Sequence, residues 1–200
     1  MNKKSDSILD ASITLLLDHG MKGVTMDDIS EQANVSKVTI YKYFTDKDTL
    51  YKEVCKRIIA GQSSALRCIL ESNRPLAWKF GSYVKCICDF TDSRLLWLCG
   101  ELKHFNDRLA GEYADYMDIQ TKALSHLVDE GFRSGMIRRN LDQRQVFHLI
   151  NMGLVYYQQN EEYRRNVRSD SSLQTSILDF FMQGIFVDAC LMMGDKATVL

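Results

Sequence analysis

Apolar residues recur at three- and four-residue intervals along most of this 200-residue chain, the spacing of one buried helix face. Ile8, Ala11, Ser12, Leu15 and Leu16 share a face over residues 5–18, and Gly20 stops the run. Thr25 then offers a hydroxyl as N-cap, and Asp27 and Asp28 suit the positive end of a short second helix whose Ile29 and Ala33 face inward. Asn34 tolerates the left-handed backbone of a tight turn. Ser36 is the next N-cap, and Ile40 and Phe44 form the inner face of a third helix. Thr45 and Asp48 resemble a capping box opening a long helix with the stripe Leu50, Val54, Ile58, Gly61, Ala65 and Ile69.

The segment from Glu71 to Pro75 breaks that helix. The pattern then predicts helices over 76–90, 94–105, 111–134, 143–159 (capped by Asp142) and about 173–193. Residues 160–172 are polar and read as a loop or a weak helix. No strand-like alternation and no repeat interrupts the series, and Pro75 is the one proline. The expected fold is all-α: a three-helix, helix-turn-helix unit over residues 1–46 and a larger helical body over 47–200.

Composition changes this picture little. Apolar residues are 46% of the chain, charged residues 26%, and the formal net charge is −1, so bulk charge points to no anionic partner. The N-terminal segment lacks the apolar core of a signal peptide, and no run of about 18 apolar residues spans a membrane. The six cysteines lie inside helical patterns, which favours reduced thiols in a cytoplasm. The chain holds no Gly-rich phosphate loop, no GxSxG and no HExxH, so no enzyme is expected.

The chemistry concentrates in residues 25–47. Ile29, Ala33, Val35, Ile40 and Phe44 form a seam, closed by Ile8, Leu15 and Leu16. Lys37, Val38, Tyr41 and Lys42 share the outward face, one turn apart in pairs, flanked by Thr39 and Tyr43. Such a face suits a major groove about 12 Å wide: lysines for phosphates or guanine edges, Thr and Val for a thymine methyl, Tyr hydroxyls for phosphate oxygens. Thr25 and Ser36 sit at helix starts, where free N–H groups favour phosphate, and Lys47 can reach a neighbouring phosphate. Residues 1–50 carry six Lys against seven Asp and one Glu, a net of −2; residues 37–47 carry a net of +2. The basic patch is local, so nonspecific affinity should be weak.

Periodicity alone also fits a plain three-helix fold. The residues Gly20, Thr25, Ile29, Ser30, Ala33, Asn34, Val35, Ser36, Thr39, Ile40, Tyr41, Tyr43, Phe44, Lys47 and Leu50, at their spacing, closely resemble the N-terminal domain of the TetR family of bacterial transcriptional regulators. Asn34 stands where that family usually has Gly, and Ser30 where it usually has Ala. The resemblance implies a homodimer that binds palindromic operator DNA and is released by a small-molecule effector, in the bacterial cytoplasm and on the nucleoid when bound. It also implies that the helix from about Asp46 to Leu70 couples the effector site to the reading unit. Its DNA-binding residues would be Thr25, Ser36, Lys37, Val38, Thr39, Tyr41, Lys42, Tyr43 and Lys47. No metal or cofactor is expected. The competing reading is a protein-interaction module on the same fold without an effector pocket, or an activator.

For the body, Trp78, Tyr83, Trp97, Glu101, His104, Tyr116 and Phe147 are the candidate effector-pocket residues; aromatic residues at helical spacing also serve as core. By the same resemblance, the helices at 143–159 and 173–193 form the dimer interface, with Ile150, Gly153, Tyr157, Ile177, Phe181 and Gly184 as candidates. A mid-helix glycine costs about 1 kcal/mol relative to Ala, so Gly153 and Gly184 each need a reason: close crossing between subunits or packing within one. Cys86 and Cys88, two apart on a helix, point in different directions and do not chelate together, even with Cys99 and His104 nearby in sequence.

Overall fold

The first helix, α1 (Lys3–Gly23), follows its apolar face until Gly20, whose φ of 70° breaks the regular backbone before a last turn. The computed structural model describes residues 3–105 and 110–187, without the side chains of 103–105 and 110–113. Ten helices follow one another in the described residues. After α1 come α2 (Met26–Gln32), α3 (Lys37–Tyr43), α4 (Lys47–Glu71), α5 (Leu76–Asp92), α6 (Leu95–Phe105), α7 (Ala110–Arg133), α8 (Gln143–Gln159), α9 (Glu161–Ser169) and α10 (Ser171–Ile185). None of them is long and apolar enough to cross a membrane.

The chain divides into two compact units. One takes residues up to 63 together with 92–118; the other takes 64–91 and the residues from 119 on. The division falls inside α4, and α6 joins the first unit. In the first unit Ile8, Leu9, Leu16, Ile29, Ile40, Leu50 and Leu98 are all buried. Arg57 of α4 donates to Asp6 (3.0 Å) and Asp10 (3.1 Å), tying α4 to α1. Cys55 and Cys99 are buried free thiols in hydrogen-bond contact; that bond and burial hold the Cys99 thiol far above its ordinary range, which leaves it unreactive.

Two local expectations shift. Asp46, not Thr45, caps α4: its carboxylate accepts the N–H of Thr49 at 2.7 Å. The buried stripe of α4 keeps Leu50, Val54 and Ile58, then passes through Gln62 and Leu66, while Gly61 and Ala65 are exposed. From Ile58 the 3.6-residue period steps by four, so position 62 faces inward even though it holds a polar side chain.

The second unit packs α5, the later part of α7, α8 and the end of α10 around Phe80, Leu127, Val146, Ile150 and Phe186. Its chain end is stitched in. Phe186 is fully buried and meets the Phe80 ring edge-on at 5.0 Å. Arg138 N–H donates to the Ile185 carbonyl (2.9 Å), and Val187 N–H donates to the Met136 carbonyl (3.0 Å). Gly131 leaves room for this stitch, because a Cβ there would lie 2.5 Å from Cδ1 of Ile137.

The polar stretch 160–172 holds a real helix, α9. Asn160 caps it by accepting the Tyr163 N–H at 2.9 Å, and Tyr163 packs on the rings of Tyr156 (4.8 Å) and Tyr157 (6.3 Å). Arg164 donates to the Tyr157 and Gln158 carbonyls, satisfying the open end of α8. Residues 188–193 of the expected last helix, and Cys190, lie outside the described residues.

Candidate nucleic-acid interface

α2 and α3 are fixed by their caps before any packing is counted. Thr25 Oγ1 accepts the Asp28 N–H (3.2 Å), and the Asp28 carboxylate accepts both the N–H and the hydroxyl of Thr25 (2.7 Å each). These bonds favour the carboxylate and hold Asp28 below its ordinary pKa. The turn then reverses through Asn34 at φ 52°, and Val35 N–H donates to the Ser30 carbonyl at 3.0 Å. Ser36 caps α3 by accepting the Thr39 N–H (3.1 Å), and its hydroxyl shares a second hydrogen bond with the Thr39 hydroxyl (2.9 Å). Thr25 and Ser36 therefore build the motif; their side-chain oxygens are engaged in caps.

Inside, Ile29, Ala33, Ile40 and Phe44 are buried, with Val35 and Leu15 half-buried. Outside, α3 presents Lys37, Val38, Tyr41 and Lys42 to solvent, with Thr39 and Tyr43 half-buried beside them. This is the face expected from spacing. Lys37 on this face and Lys47 beyond it have protein partners. Lys37 forms an ion pair with Asp27 of α2. An exposed pair of this kind is worth about 0–1 kcal/mol, so a phosphate can replace the carboxylate at little cost. Sequence reasoning placed Asp27 only as a helix-dipole residue and missed this pairing.

Lys47 differs more. Its ammonium donates to the Val24 carbonyl at 2.7 Å and lies over the Tyr51 ring at 5.4 Å. In the free protein it staples the start of α4 to the loop between α1 and α2. Lys47→Ala should therefore lower stability by about 1.5–3 kcal/mol, the worth of a hydrogen bond from a charged group. Lys42→Ala should leave the melting temperature unchanged and reduce the slope of log affinity against log salt by about one contact. Thermal melts and salt-titrated gel shifts of both variants separate these roles.

The candidate effector residues come from both units. Trp97, Glu101 and Tyr116 belong to the first unit, and Trp78, Tyr83 and Phe147 to the second. Tyr116 is buried. Tyr83 is buried and donates its hydroxyl to the Gln120 carbonyl at 3.2 Å, and burial raises its pKa. Both behave as core. Trp78 is half-buried with the Arg74 guanidinium 5.2 Å from its ring; Trp97 is exposed, with Arg94 at 4.8 Å. Glu101 is exposed and Phe147 half-buried, and the His104 side chain lies outside those described. Among the described residues no three His, Cys, Asp or Glu side chains converge as metal ligands.

The candidate dimer residues divide as well. Ile150 and Tyr157 face the subunit's own interior at 6% exposure each. Gly153 resolves to packing within the subunit, since a Cβ there would sit 3.0 Å from the Phe181 ring. Ile177 and Phe181 are half-buried, and Gly184 is exposed with nothing near it. The outward apolar side chains of α8 are instead Leu149, Met152 and Tyr156, with Phe180 on α10. α8 carries two apolar stripes, and periodicity gives no means of ranking them.

A capped helix pair with a buried seam, presenting lysines and a tyrosine outward from the second helix, defines a helix-turn-helix DNA-binding protein. Residues 8–54 match the family model described as bacterial regulatory proteins, tetR family. The chain is 30% identical over 158 residues to the uncharacterized HTH-type transcriptional regulator YdeS of Bacillus subtilis, covering 76% of this chain and 75% of that protein. It therefore belongs to the TetR family of transcriptional regulators. The biofilm operon icaADBC negative transcriptional regulator IcaR of Staphylococcus epidermidis is 38% identical over 48 residues, 24% of this chain and 26% of IcaR. In fold, the chain is similar to the transcriptional regulator FadR from Bacillus subtilis, solved in complex with stearoyl-CoA. The TM-score is 0.66 at 20% identity, over 90% of this chain and 98% of that one.

Proposed function

We propose that this regulator acts as a homodimer on a palindromic operator, as a repressor that a small-molecule effector releases, in the bacterial cytoplasm. The observation that carries the reading is the pair of outward faces: α3 for DNA, and the apolar surface of α8 and α10 for a second copy. Leu149, Met152 and Tyr156 follow one another at intervals of three and four on α8, and Phe180 on α10 is 74% exposed. Soluble monomers rarely leave such patches uncovered. A two-fold partner covers the same patch on both copies. A palindrome read by two copies requires their α3 helices at a half-site spacing of about 34 Å.

Lys37, Val38, Thr39, Tyr41, Lys42 and Tyr43 are the residues assigned to the groove, with Thr25, Ser36 and Lys47 in support at the surrounding backbone. IcaR is a negative transcriptional regulator, and FadR was solved with stearoyl-CoA bound. α4 contributes residues to both units and is the element through which a ligand in the helical body reaches the reading unit. The test is a reporter driven from a promoter overlapping duplexes that the purified protein selects from a random pool. Expression should fall when the protein is made and recover with an effector found by thermal shift. Expression that rises on binding would favour an activator. Repression untouched by every ligand that shifts the melt would remove the effector step.

A further inference from the structure

We propose that Val38 reads the C5-methyl group of a thymine at one fixed position in each operator half-site. The inference rests on α3 being the helix that enters the groove. Among the exposed large apolar side chains of the described residues, none stands further into solvent than Val38, at 80%. An isopropyl group held in water adds nothing to the fold. Its β-branching limits it to few rotamers, so it offers a defined apolar surface in place of a mobile one.

The polar groups around it at the front of α3 are engaged elsewhere. Lys37 is paired with Asp27, the Ser36 and Thr39 hydroxyls bond to each other, and the Ser36 oxygen also accepts the Thr39 N–H. Base edges in the major groove present acceptors, donors and one apolar feature, the thymine methyl. Against a carbonyl or an amino group, an isopropyl would strip water and give no hydrogen bond in return. Against the methyl it buries apolar surface on both sides. Tyr41 and Lys42, on the following turn, supply the polar contacts that hold the helix in register.

The test uses deoxyuridine, which differs from thymidine only by that methyl. A duplex selected from a random pool by the full-length protein is resynthesised with each thymine changed, one symmetric pair at a time, and assayed by gel shift. One pair should cost the wild-type protein roughly fourfold per half-site, about fifteenfold in all, the worth of one buried methyl at each site. Val38→Ala should bind the thymidine and deoxyuridine duplexes of that pair equally, and should match the wild-type response at every other thymine. Val38→Thr, with one methyl left, should show an intermediate ratio. A wild-type affinity indifferent to every deoxyuridine, or a penalty that survives in Val38→Ala, would overturn the proposal while leaving DNA binding intact. A wild-type protein that enriches no duplex would overturn the groove reading on which the proposal rests.

Discussion

Met152→Asp combined with Phe180→Asp should convert the dimer to monomers and lower operator affinity by roughly 10²–10⁴-fold, the advantage of binding two linked half-sites over one. The two side chains are 61% and 74% exposed, so the changes remove little packing within the subunit. Each occurs twice across a two-fold axis, which brings four carboxylates into a surface proposed to be apolar and dry. Buried unpaired charge is among the costliest changes an interface can meet. Sedimentation velocity should show a single species of one chain's mass, 23.0 kDa, with the helical spectrum retained. A dimer that persists in this variant would move the interface to another face.

Phe186→Ala carries the largest expected cost to the fold, about 3–5 kcal/mol, from lost burial and the cavity left behind. Phe186 is fully buried, and its edge-on contact with Phe80 adds to the loss. A domain of ordinary stability has only about 5–15 kcal/mol to lose. The effect should reach further than the side chain. The backbone bonds from Arg138 N–H to Ile185 and from Val187 N–H to Met136 depend on this residue staying in place, and they anchor the end of α10, which carries Phe180. Urea denaturation at one fixed protein concentration checks it, with Phe180→Ala as a control of similar chemistry on the exposed side. Equal midpoints for the two variants would show that the stitch at Phe186 contributes little.

Much of the reading unit was legible from sequence because its signals are local. Thr25, Asn34 and Ser36 each act within four residues of themselves, and each does in the structure what its type suggests. The same holds for Asp142, whose carboxylate accepts the Gln145 N–H at 2.8 Å. The failures came where neighbours decide. Gln62 is buried because α4 keeps its period, and Gly61 is exposed because apolar type does not outrank geometry. On α8, Ile150 and Leu149 are equally apolar, and only the surrounding helices determine which one faces the core. The candidate pocket residues come from α5, α6, α7 and α8, and no spacing rule along one helix reports whether they meet. The sequence of 160–172 suggests a loop or a weak helix because the stability of α9 comes from Tyr163 stacking on α8 and Arg164 capping α8, both contacts beyond its own sequence.

The central claim is that two copies of α3, held by an α8 and α10 interface, read two halves of one operator. The direct measurement is the stoichiometry and affinity of the complex on a selected duplex, compared with the same duplex after one half-site is scrambled. Two chains on the intact inverted repeat, and affinity reduced at least about 10²-fold on the scrambled one, is the expected result. One chain bound with full affinity to either duplex would contradict it.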